Sequence, residues 1–90
     1  MEDLATASPA EQHLLANAFD LERQLRSAER HYADAREAAD RARDEWRSLS
    51  IRQDARPTQV LAARAKFEAV AARCNRLRSM IEELEERLDD

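Results

Sequence analysis

Ninety residues, 38% of them charged, with a net charge of −4, two prolines and no glycine, make at most one small domain rich in helix formers. One cysteine excludes an internal disulfide framework and a cysteine zinc cluster. No apolar run approaches the roughly 18–20 residues that span a bilayer, so membrane insertion is not expected.

In chain order, residues 1–8 carry no apolar period and are expected to form a flexible N-terminus. Met1–Ala10 lacks the basic region and hydrophobic block of a signal peptide, so the expected location is cytoplasmic. Ser8-Pro9-Ala10-Glu11 reads as a helix start: Ser8 caps, Pro9 suits the first helical position, and Glu11 completes a capping box. A first helix is predicted over about 9–51. Its apolar positions are Leu14, Ala18, Leu21, Leu25, Ala28, Tyr32, Ala35, Ala39, Ala42, Trp46 and Leu49. Steps of alternating threes and fours are the heptad signature of a coiled-coil seam.

A turn is predicted over about 52–57, because Pro57 pushes Arg56 out of the α region. Asp54 and Thr58 both offer a cap for the second helix, predicted over about 58–88. That helix repeats the pattern at Val60, Ala63, Phe67, Val70, Cys74, Leu77, Ile81, Leu84 and Leu88. A short connection makes the two helices antiparallel neighbours. Setting Leu49 opposite Val60 brings Trp46 to Ala63, Ala42 to Phe67, Ala39 to Val70 and Ala35 to Cys74. It also brings Tyr32 to Leu77, Ala28 to Ile81, Leu25 to Leu84 and Leu21 to Leu88. In four of these nine layers a large side chain faces an alanine, the interdigitation a close-packed seam needs. Flanking charges agree in part: Glu29 near Arg78 and Glu45 near Lys66 are favourable, whereas Glu22 near Glu85 and Arg43 near Arg64 are not. The fold class is therefore all-α, an antiparallel two-helix coiled-coil hairpin. Its narrow, alanine-rich seam leads us to expect pairing into a four-helix arrangement.

No residue set carries chemistry. Cys74 is a seam residue, shielded from the exposure a reactive thiol needs. His13 and His31, about five turns apart, have no ligand partners at metal spacing. Glu82, Glu83 and Glu86 resemble the E-E-x-x-E half of the metal site in helical nucleotide pyrophosphohydrolases. That family also requires an E-x-x-D, and Glu37 to Asp40 on the first helix would lie on the order of 15 Å away. Trp46-Arg47-Ser48 resembles the Trp-x-Gly of small secreted WXG-type proteins, which are helical hairpins of similar length. Here Ser48 replaces the glycine, and Trp46 belongs to the seam rather than the turn. The expectation is a chain that is no enzyme, with no cofactor, metal or small-molecule substrate.

Charge is distributed unevenly: −5 over residues 1–22, +6 over 23–78 and −5 over 82–90. Fourteen of the fifteen cations are arginine, which a GC-rich bacterial genome accounts for. Folded as a hairpin, both acidic segments gather at the open end. Arg43, Arg47, Arg52, Arg56 and Arg64 surround the other end as an anion-facing tip. The first helix outruns the second, leaving Leu14, Leu15, Ala18 and Phe19 without partners, and contiguous exposed apolar residues mark contact sites. A second stripe, Leu61, Ala65, Ala69 and Ala72, lies on the outer side of the second helix. The function expected is a bacterial protein–protein interaction module (an adaptor, chaperone or scaffold) that homodimerises or binds another protein. One alternative is a nucleic-acid- or ribosome-associated factor using the arginine tip, set against the net negative charge and the lack of exposed stacking aromatics. The other is a WXG-like secreted hairpin.

Overall fold

The computed structural model describes the backbone of residues 9–89 and the side-chain environments of residues 17–89. The flexible segment expected at 1–8, the Ser8–Glu11 capping box and the side chains of His13, Leu14 and Leu15 fall outside these limits. Two helices account for the fold: α1, Pro9–Ile51, and α2, Pro57–Asp89. They pack against each other as an antiparallel hairpin, a rod of 79 × 17 × 16 Å. At 1.5 Å per residue α1 alone is about 65 Å long, so it runs most of the length of the molecule.

The seam follows the sequence pattern. Its buried residues are Ala28, Ala35 and Ala42 on α1 and Ala63, Cys74 and Leu84 on α2. Five of the six are small. Their large partners in the opposing layers, Ile81, Phe67 and Trp46, are only half-buried. Alanines at these layers let two helix backbones approach closely, and each bulky residue opposite keeps part of its surface in solvent. The Ala35–Cys74 layer is buried on both sides, so the Cys74 thiol is shielded.

Trp46 and Phe67, each placed on an alanine by the register, also meet one another. Their rings stack with centroids 5.7 Å apart and planes inclined by 24°. The two residues occupy adjacent layers, so the stack runs diagonally across the seam and closes the hairpin near the turn.

The turn differs from both caps offered by the sequence. Arg56 is the N-cap of α2, its carbonyl accepting from the Val60 N–H at 3.2 Å and from the Gln59 N–H at 2.9 Å. The Gln59 side-chain oxygen reaches back to accept from the Arg56 N–H at 3.0 Å. This is the returning half of a capping box, with Pro57 at the first helical position. Asp54 is instead held by Arg52, whose Nε and Nη2 each donate to one carboxylate oxygen at 3.3 Å. That double contact keeps the Asp54 carboxyl below its ordinary pKa. The helix begins at Pro57, whose missing N–H costs nothing at the first helical position.

Candidate functional site

The hairpin has two flanks, and their contacts tell them apart. On one, Glu45 and Lys66 approach to 3.5 Å, as their seam positions predict. The same flank holds a shallow groove of about 450 Å³ between Ala28 and His31 on α1 and Leu77, Met80 and Leu84 on α2. On the other flank, arginines interleave with aromatics. Arg64 lies over the Trp46 ring at 5.8 Å and bonds Glu68 at 3.2 Å. Arg36 lies over the Tyr32 ring at 5.9 Å and donates to its hydroxyl oxygen at 3.3 Å. Arg78, reaching from α2, donates to the same oxygen at 3.2 Å, in place of the expected approach to Glu29.

Two guanidinium donors on one phenol favour its ionised form, and the Arg78 hydrogen bond is the larger influence. The Tyr32 pKa is lowered from its ordinary value of 10.0 against a weaker opposing effect of burial. Because the folded value is depressed, stability rises with pH as the hydroxyl ionises, approaching its full gain above the unfolded value. Tyr32 is the only tyrosine, so phenolate absorbance reports it alone. The titration midpoint of the folded chain should fall below that of the urea-unfolded chain, and Arg78→Ala should move it back toward 10. Coincident midpoints would remove the inter-helix hydrogen bond.

The unfavourable pair expected at Arg43 and Arg64 is defused locally. Arg43 sits 3.5 Å from Asp40 and 3.7 Å from Asp44, and Arg64 is occupied by Glu68. Arg52 is taken by Asp54. Three of the five arginines expected to form an anion-facing tip are thus paired with carboxylates of their own hairpin. Arg47 and Arg56 have no ion pair among the described residues.

Of the residues expected to contact a partner, Phe19 is 64% exposed and Ala18 half-buried. Leu61 is 63% exposed, and Ala65, Ala69 and Ala72 are exposed with it, so the outer stripe of α2 is open along its length. Sequence reasoning passed over two further exposed apolar residues, Met80 at 48% and Ile51 at 84%. Met80 belongs to no heptad stripe, and Ile51 follows the last seam residue of α1. With Trp46, Arg47, Ser48 and Ser50, Ile51 lines a shallow apolar depression at the tip.

Among the described residues, no three His, Cys, Asp or Glu side chains gather where they would hold a metal ion. No described helix is long and apolar enough to cross a membrane. Trp46 lies within α1, five residues before its end, rather than at the turn where a Trp-x-Gly would stand. No protein-family model matches this chain, and no curated protein or solved structure matches it either.

Proposed function

We propose that this chain is a non-enzymatic protein–protein interaction module, a small helical-hairpin adaptor, chaperone or scaffold. The observation that carries the reading is the end of α1. In the observed register α2 stops about level with Asp20, so the first three turns of α1 project past the hairpin, with exposed Phe19 at their base. An aromatic side chain left in water beside an unpaired helix segment forgoes about 2 kcal/mol of transfer energy that a partner would recover. The alternative, nucleic-acid binding through the tip, is weakened by the carboxylates that already occupy Arg43, Arg52 and Arg64. A polyanion would meet a tip whose positive charge is already largely offset.

Tagged wild-type and Phe19→Asp chains, compared by capture from the native host and by light scattering, test the reading. The wild type should retain a protein or exceed the monomer mass, and Phe19→Asp should lose both. Equal capture and equal mass for the two chains would overturn it.

A further inference from the structure

Along the arginine–aromatic flank, α1 presents a stripe of side chains beside the seam. In order these are Phe19, Glu22, Arg26, Glu29, Ala33, Arg36, Asp40, Arg43 and Arg47, all exposed except Arg43, which is half-buried. Their charges invert about Ala33. Glu29 and Arg36 stand at nearly equal distances on either side of it, as do Arg26 and Asp40, and Glu22 and Arg43. A helix whose signs invert about one point is complementary to itself when a second copy runs antiparallel across that point. The arrangement is isologous, with each contact made twice. A parallel copy in the same register would instead set like charges face to face.

From this we infer that the chain forms an antiparallel homodimer through α1, with the two-fold axis at Ala33. The inference rests on the reading of the hairpin as an interaction module and names its partner as a second copy. Glu29 of each copy meets Arg36 of the other, Arg26 meets Asp40, and Glu22 meets Arg43. Ala33 meets its own mate, where a small side chain lets the helices approach within the usual 8–10 Å. Phe19, about 21 Å from the axis, comes level with Trp46 and Arg47 of the second copy, about 20 Å out on the other side. The most exposed aromatic ring thus reaches the rim of the Trp46–Phe67 stack. The acidic open end of each hairpin comes to lie beside the arginine tip of the other. Pairs within α1 persist in the dimer: Arg26 lies 3.9 Å from Glu22, and Arg43 3.5 Å from Asp40. Association turns them into four-charge clusters rather than breaking them.

Ala33→Cys and Met80→Cys chains, each in a Cys74→Ala background with helicity checked by circular dichroism, test the geometry under mild copper-phenanthroline oxidation. The Ala33→Cys chain should cross-link to itself, whereas the Met80→Cys chain, on the opposite flank, should not. Glu29→Arg and Arg36→Glu should each weaken the dimer at least about tenfold, and the two together should restore it. A monomeric mass at all concentrations, preferential cross-linking at Met80, or a double variant no better than the singles would overturn the inference. Of these results, a monomer that still captures a host protein through Phe19 leaves the module reading standing. A monomer that captures nothing removes both.

Discussion

Leu84→Ala should destabilise the hairpin by about 3 kcal/mol, while Leu61→Ala on the same helix should change stability by less than about 0.5 kcal/mol. Leu84 is 4% exposed and is the one large residue among the buried set; Leu61 is 63% exposed. The chemistry of the two substitutions is identical, so the contrast isolates burial. Leu84 also lies opposite Leu25 in the register and beside the groove at Leu77 and Met80. Urea melts followed by circular dichroism give both values. Equal losses would mean that the α2 face turned toward α1 is not the one described.

Phe67→Ala should cost about 2–3 kcal/mol. A fully buried phenylalanine would lose about 3–5 kcal/mol, but Phe67 is half-buried, so part of its transfer energy was never gained. The stack on Trp46 returns a share of about 0.5–1.5 kcal/mol beyond area. The single tryptophan makes the contact visible: its emission should shift to longer wavelength in Phe67→Ala while the chain remains folded. A loss below 1 kcal/mol with unchanged emission would dismantle the diagonal pair.

The seam was legible in the sequence because two heptad runs admit few registers, and only one sets Trp46, Phe67 and Ile81 on alanines. The stack between Trp46 and Phe67 was not. A register names opposing residues within a layer, whereas side chains this long reach across to the next layer. The cap of α2 escaped for another reason. Asp54 and Thr58 have the side chains that usually cap helices, but Arg56 caps with its carbonyl and relies on Gln59 to satisfy its own N–H. No side-chain preference at position 56 announces that. Charges were readable between helices only at Glu45–Lys66. Elsewhere a carboxylate three or four residues away on the same helix takes the arginine, as Glu68 takes Arg64, or the seam hydroxyl of Tyr32 does, as for Arg78. At the candidate contact site, exposure of Phe19 and Leu61 followed from the seam's geometry. The sign inversion about Ala33 became meaningful only once that flank of α1 was seen to be exposed.

The turn between Ile51 and Pro57 also orders events in time. Joining Trp46 to Ala63 closes a loop of about 17 residues, whereas joining Leu21 to Leu88 closes one of about 67, a difference worth about 1.2 kcal/mol of chain entropy if nothing between has formed. Each layer laid down from the tip shortens the loop left for the next, so the hairpin is built to zip from the Trp46–Phe67 stack outward. Its acidic end is then the last to close and the first to open. The segment of α1 carrying Phe19 continues the helix beyond that end, so the helical order of this surface should lean on the layers expected to close last.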